Sequence, residues 1–343
     1  MSIGIDKLAH VNNPVLSDTL LAHSAAEGTG VIAIGDLSKL LNAGNLKMPD
    51  SDETIAEHYR QFCNRNLLDN WYFANSVNQK GQMEYTGSGY TIDRWRSYGT
   101  KVSINDGYIS LSTEGNPTFC QKSELDLYDK KLTFSVLLAN GSLCTGTGIL
   151  ASGIEWKNTT LYEDSSIKLW LQNSNPLFNT AIDIKGNAPV DLVAAKLEFG
   201  SVQTLAHKEN GVWVLNEIPD YTTELEKCQR YFWRYKFIGE WAKTAFIQAF
   251  TPTRLEGQFI APVQMRTLPT VKTNIGDDEL IATKNANVDI PVKYKGVIAC
   301  GDTYRNLWLT FEPLDSSKVV LGDTYFLRNQ NNKNIYLDFD ANL

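Results

Sequence analysis

Ile167-Lys168-Leu169-Trp170-Leu171-Gln172 sets an apolar residue at every second position, with Lys168, Trp170 and Gln172 between them. A period of two belongs to a strand with one face on a core and the other turned outward. The same alternation returns at Leu132, Phe134, Val136 and Leu138. It returns again at Val193, Ala195, Leu197 and Phe199, set around Ala194, Lys196 and Glu198. Turn clusters separate the runs: Tyr85-Thr86-Gly87-Ser88-Gly89, Asn105-Asp106-Gly107, Asn140-Gly141 and Lys185-Gly186-Asn187. Many short strands without interleaved long helices predict an antiparallel β-sandwich of jelly-roll type over residues 66–216.

Beyond this unit, Asn216-Glu217-Ile218-Pro219-Asp220 reads as a turn-rich connector. Thr223 and Glu226 have the spacing of a capping box, and Leu225, Cys228 and Phe232 form one stripe of the helix behind it. From about Phe237 strand patterns resume, among them Phe246 to Phe250, Gly257 to Pro262, Leu307 to Phe311 and Ile335 to Phe339. Pro252, Pro262, Pro269, Pro291 and Pro313 lie near run ends, where proline is tolerated. Residues 217–343 are therefore expected to form a second antiparallel sandwich.

Ahead of both units, Asp18 to His23 and Val31 to Ile34 read as strands joined by the turn Glu27-Gly28-Thr29-Gly30. Asp36 can cap a helix that aligns Leu37, Leu40 and Leu41, and Gly44 sits where a C-terminal cap belongs. A hairpin with one helix buries too little surface to stand alone, so residues 1–50 are read as an attachment module. Residues 51–65 are read as a linker helix, with Ile55, Tyr59 and Phe62 at helical spacing. The expected architecture is mainly β: a small N-terminal hairpin-helix module followed by two antiparallel, jelly-roll-like β-sandwiches.

The 343 residues carry 32 Lys and Arg against 39 Asp and Glu, a net charge of -7, which argues against nucleic acid as a partner. No basic segment precedes an apolar run, and no stretch approaches the ~20 apolar residues of a membrane span. The expectation is a soluble protein made in the cytoplasm. Cys63, Cys120, Cys144, Cys228 and Cys300 are odd in number and form no C-x-x-C pair. The four histidines are scattered, so no metal and no cofactor is expected. G-x-S-x-G, G-x-x-x-x-G-K-[ST] and H-E-x-x-H are all missing, and Gly146-Thr147-Gly148 is too short to hold phosphate by itself. Asp277-Asp278-Glu279 reads as a solvated turn. The chain is read as no enzyme, with no catalytic residue.

Aromatic rings on the wrong face of strands are the more informative signal. Trp308 opposes Leu307, Leu309 and Phe311; Trp170 opposes Ile167, Leu169 and Leu171. Tyr336, Asp338 and Asp340 share the face opposite Ile335, Leu337 and Phe339. A ring beside carboxylates or amides suits a sugar, whose apolar face stacks while its hydroxyls are hydrogen-bonded. Trp308, Tyr336, Asp338, Asp340 and Trp170 are the candidate ligand-binding residues. Capping of a sheet and burial between subunits compete as readings for the same rings.

Several strings together carry a family likeness. They are Asn66-Leu67-Leu68-Asp69-Asn70-Trp71-Tyr72-Phe73, Val77-Asn78-Gln79-Lys80-Gly81 and Tyr85 through Trp95. They continue in Ala195 through Thr204, Tyr221 through Phe232 and Pro262 through Val271. The set resembles tail-fibre or receptor-binding proteins of bacteriophages, prophages and phage-tail-like bacteriocins. The likeness covers roughly residues 66–271, and Ile34 through Leu41 is similar to the small modules that mount such fibres. It implies a jelly roll similar to carbohydrate-binding modules at 66–215 and a distal receptor-binding tip after the Lys227-Cys228-Gln229-Arg230 helix. It also implies a homotrimer mounted on baseplate or tail proteins, acting outside the cell on a virion tail or tail-like particle. Its expected partner is a bacterial cell-surface polysaccharide. Some such jelly rolls hold a structural calcium, but no acidic run here would fix one. The repetitive shaft of many tail fibres is missing, which favours a compact receptor-binding protein.

Overall fold

The computed structural model describes residues 19–24, 28–33 and 64–342, except 152–156, 175–176, 239–244, 278, 285–287, 300–303 and 331. Strands β1 (Thr19–Ser24) and β2 (Gly28–Ala33) pair antiparallel, with Thr19 opposite Ala33. The helices read at 36–44 and 55–62 lie outside the described residues.

The next unit contains β3 (Glu84–Tyr85), β4 (Gly89–Tyr90), β5 (Trp95–Asn105), β6 (Tyr108–Ser123), β7 (Lys131–Leu138) and β8 (Leu143–Ile149). It continues with β9 (Asn158–Glu163), β10 (Ile167–Ser174), β11 (Leu177–Ile184), β12 (Val190–Phe199), β13 (Ala206–Glu209) and β14 (Val212–Leu215). Seven strands follow the order β8-β7-β12-β6-β11-β10-β9, and β5 runs beside β6. The start of β6 pairs with β12 through Ile109 to Leu111, and its end pairs with β11 through Thr118 to Ser123. The β5–β6 ribbon thus passes from one layer to the other, and the sheet closes over its own core as a sandwich. In that core Trp95 stacks on Phe119 at 4.7 Å, and Phe73 meets Trp95 edge-on at 5.2 Å. At the open side β9 lies directly on β8: a Cβ on Gly146 would fall 1.9 Å from the carbonyl oxygen of Leu161. The Gly146-Thr147-Gly148 string is therefore a packing device.

One strand departs from its sequence pattern. A bulge between Leu192 and Ala194 shifts the phase of β12. Leu192, Ala195 and Leu197 are buried, whereas Val193 is only half-buried and Phe199 is exposed. Lys196 and Glu198 are buried on the opposite face. There the Glu198 carboxylate accepts hydrogen bonds from the Thr204 backbone N–H at 2.7 Å and its hydroxyl at 2.5 Å. The Lys196 ammonium lies 3.3 Å from Glu217. The chain after β12 folds back over this face and supplies the partners that make the burial tolerable.

Helix α1 (Tyr221–Gln229) starts three residues earlier than a Thr223–Glu226 capping box would place it: Asp220 is the N-cap and accepts from the Thr223 N–H at 2.8 Å. Glu224 and Cys228 are its buried residues, Leu225 is half-buried, and Phe232 belongs to the next strand. The remaining strands are β15 (Phe232–Lys236), β16 (Ala245–Thr251), β17 (Arg254–Ile260), β18 (Thr270–Thr273) and β19 (Leu280–Lys284). They are followed by β20 (Val288–Ala299), β21 (Asn306–Pro313), β22 (Thr324–Asn329) and β23 (Tyr336–Asp340). Six of them form a closed barrel in the order β16-β17-β21-β20-β19-β22, and β15-β23-β18 form a separate sheet. This is a barrel with a sheet on it, where alternation alone suggested a second sandwich. Both folds need one apolar face per strand; closure comes from β22 pairing with both β16 and β19.

Candidate functional site

Three of the five candidate residues stand on β23. Asp338 receives a bidentate ion pair from Arg234 at 2.6 and 2.7 Å, with the two side chains only 12% and 10% exposed. The guanidinium also donates to the carbonyl of Lys80 at 2.7 Å and lies 3.7 Å over the Tyr336 ring. Asp340 accepts from the backbone and side-chain amides of Asn342 at 3.0 Å each. Tyr336 and Asp338 are thus committed to Arg234, and Asp340 to a local turn. Expected as ligand groups, Tyr336 and Asp338 instead belong to the seam between the barrel unit and the sandwich.

The seam continues through the first unit. Asn70, held at φ 50°, donates to the carbonyls of Val77 (2.9 Å) and Asp93 (2.8 Å) and accepts from the Val77 N–H (2.7 Å). Its own N–H donates to Glu224 of α1 at 2.7 Å. Gln79 donates to Asp93 at 2.9 Å and to the Phe232 carbonyl at 2.7 Å. Burial pushes the Asp93 carboxyl up to about 6, even though the Gln79 backbone and side-chain amides both donate to it. Arg94 lies 3.4 Å over the Tyr231 ring and pairs with Asp69 at 3.0 Å. Arg266 reaches Glu124 at 3.0 Å. Glu224 and Arg234 carry this seam, yet nothing local in the sequence marks them.

Trp308 stands half-buried on the barrel wall, beside Gln258 of β17 and Ile298 of β20. Its indole N–H is buried without a hydrogen-bond partner. Phe246, Ile260 and Ile298 are well exposed on the same barrel.

Trp170 has a different setting. On the outer face of the β5–β6–β11–β10 layer, register aligns Arg96, Cys120, Ala181 and Trp170 in one row. The flanking rows are Tyr98, Thr118, Asp183 and Lys168 on one side and Lys122, Asn179 and Gln172 on the other. Small Cys120 and Ala181 form a floor against which Trp170 packs, while the longer neighbours stand up as walls. The result is a cleft of about 300 Å³ bounded by Tyr98, Lys122, Trp170, Gln172 and Asn179.

Its polarity is incomplete. Asn179 donates to Gln172 at 2.8 Å, and Gln172 donates to Asn158 at 2.8 Å, which orients the two amides. The Asn179 carbonyl oxygen and the Trp170 indole N–H remain buried and have no partner among the described residues. Trp170 itself is only 9% exposed. A fixed acceptor and a fixed donor beside aromatic rings are suited to hydroxyl groups. Burial pushes the Cys120 thiol up to about 12, so the floor offers no nucleophile. Of the walls, sequence reasoning missed Tyr98, which alternation in Trp95-Arg96-Ser97-Tyr98 against buried Trp95 and Ser97 could have found; Lys122 and Asn179 follow only from register.

A second cleft of about 330 Å³ lies on the opposite layer, against Trp213. Its threonine hydroxyls are already paired: Thr133 with Thr147 at 3.1 Å, and Thr145 with Ser135 at 2.8 Å. Among the described residues no group of three His, Cys, Asp or Glu side chains could hold a metal ion, and Cys120, Cys144 and Cys228 are free and buried. No described helix is long and apolar enough to cross a membrane. Compared with known proteins, the chain matches no family model, no curated protein and no solved structure.

Proposed function

We propose that this protein is a tail receptor-binding protein that attaches a phage or phage-tail-like particle to a bacterial surface glycan through the Trp170 cleft. The carrying observation is that cleft: an aromatic wall with a buried donor and a buried acceptor that have no partner among the described residues. The tail setting rests on the strings of 66–95, 195–204, 221–232 and 262–271 and their likeness to such proteins. In this reading residues 1–50 attach to baseplate or tail proteins, and three copies present three clefts. Trimeric presentation raises a weak single-site affinity because later contacts become intramolecular. The exposed Phe246, Ile260 and Ile298 around Trp308 offer apolar surface for self-association.

Cosedimentation of the full chain with bacterial cells tests the reading, with Trp170→Phe as the comparison. The variant keeps an aromatic wall and removes the indole N–H. Binding by the wild type and a clear loss in the variant support the proposal; a wild type that binds no cells overturns it. A monomeric mass by light scattering at micromolar concentration removes the trimer. The second reading is a structural tail component without receptor contact. What favours it is that the family-like strings contribute Asn70, Gln79, Asp93, Arg94, Glu224 and Arg266, all of which build the seam.

A further inference from the structure

The charge around the Trp170 cleft is unbalanced in one direction. Arg96 neighbours Cys120 in register, and Lys122 lies across from Asn179. The Arg96 guanidinium is held over the rings of Tyr98 (4.5 Å) and Tyr90 (5.8 Å). Its Nε is buried without a hydrogen-bond partner, and it makes no ion pair among the described residues. The Lys122 ammonium likewise has no carboxylate partner among them. Arg96 and Lys122 each favour the thiolate form of Cys120 on the cleft floor, and Asp183 alone among the acids opposes them there. The nearest acid of the layer, Asp183, already accepts the Thr118 hydroxyl at 2.8 Å and lies opposite Lys168 in register. With Lys168 opposite Asp183, three cations (Arg96, Lys122, Lys168) stand against one acid on this face, which leaves the surroundings of the small floor net positive.

A guanidinium held over two rings and without an acid partner is preorganised for an oxyanion, because little side-chain entropy is lost when it binds. The unpartnered indole N–H and amide oxygen next to it are suited to neutral hydroxyls. One ligand satisfies both halves: a sugar ring that carries a negative group. We propose that the cleft takes an anionic glycan, with the charged substituent of the sugar, carboxylate or phosphate, seated between Arg96 and Lys122 and its hydroxyls at Trp170 and Asn179. This inference rests on the glycan reading of the cleft and names the class of sugar.

The test uses purified cell-wall polysaccharide from cells that the protein binds, in three forms: native, carboxyl-reduced, and dephosphorylated with cold hydrofluoric acid. Binding of the full chain is followed by titration calorimetry. Native polysaccharide is expected to bind at least about tenfold more tightly than one of the treated forms, and the form that loses affinity identifies carboxylate or phosphate. That advantage should shrink in ~0.5 M NaCl, where the Debye length is only a few ångströms. Arg96→Gln with Lys122→Gln should bring native polysaccharide down to the affinity of the treated form. Lys122→Gln alone, a change at a half-exposed side chain, should give a partial loss even if the double variant folds poorly. Equal binding of all three forms, or an advantage that survives in the folded variants, overturns the anionic assignment and leaves the glycan reading intact. Failure of the native polysaccharide to bind at all overturns both.

Discussion

The seam and the Trp170 cleft are built from similar residues, namely arginine, tyrosine, tryptophan and amides, yet they differ in how those residues are satisfied. In the seam Arg234 has Asp338, the Lys80 carbonyl and the Tyr336 ring, and Asn70 uses both ends of its amide. At the cleft, among the described residues, Arg96 beside the floor has rings but no acid, the Trp170 indole N–H has no acceptor and the Asn179 carbonyl oxygen has no donor. A buried polar group without a partner costs stability, and a ligand that supplies the partner offsets that cost; the seam holds one such atom, Nη1 of Arg94, whereas the cleft gathers a donor and an acceptor beside one another. The lesson is that aromatic and charged residues on an outward strand face do not mark a binding site by themselves. Whether their hydrogen-bonding capacity is used up inside the chain decides.

This contrast can be broken from the seam side first. Arg234→Ala leaves Asp338 buried without its counter-ion and should destabilise the fold by ~3–5 kcal/mol in urea unfolding. Glycan binding measured under native conditions should not change. Replacing both partners with Arg234→Met and Asp338→Leu should recover most of the loss, because the uncompensated charge is gone.

The next effect depends on pH. Asp93 titrates near 6 in the folded chain, against an ordinary 3.8. Between those values the folded state holds a proton that the unfolded state has lost, so stability falls as pH rises from about 4 to about 6. Two units correspond to at most ~3 kcal/mol. Asp93→Asn should flatten that slope in a series of urea melts; an unchanged slope would assign it to other groups.

A break away from both regions provides a control. Gly146→Ala forces β9 off β8 and should cost ~1–3 kcal/mol in thermal or urea unfolding while leaving the seam and the Trp170 cleft chemically intact. On the cleft side the expected pattern reverses. Trp170→Phe should lower stability by only ~1 kcal/mol while reducing glycan binding by about tenfold, the loss of one hydrogen bond and part of a stacking surface. The smallest stability effect belongs to Lys122→Gln, within about 0.5 kcal/mol, since no ion-pair partner among the described residues is left behind.

Much of the scaffold is legible in the sequence. Ile167 to Gln172 and Leu132 to Leu138 fold as strands with the expected faces inward, because a period of two has one simple solution on a core. Trp170 was readable as an outward ring, and so was the fact that Tyr336 and Asp338 share a face. Their different fates were not readable. Arg234 meets Asp338 across a separation of 104 residues, and Tyr336 with it, whereas Trp170 meets Cys120 and Ala181 and, among the described residues, no acceptor for its indole N–H. The phase slip in β12 was hidden for a related reason: a bulge inserts one residue without altering the composition around it.

By itself the sequence determined the β class, the main strand runs and the break near residue 216, since those depend on local alternation and turn chemistry. Tertiary structure alone decided that the second unit closes as a barrel, that Asp338 faces Arg234, and that Arg96 and Lys122 both stand beside Cys120, the floor of one cleft. Each of these depends on which strands become neighbours and in what register. Register is chosen by the burial of whole faces, a long-range condition that the alternation within a single strand does not encode.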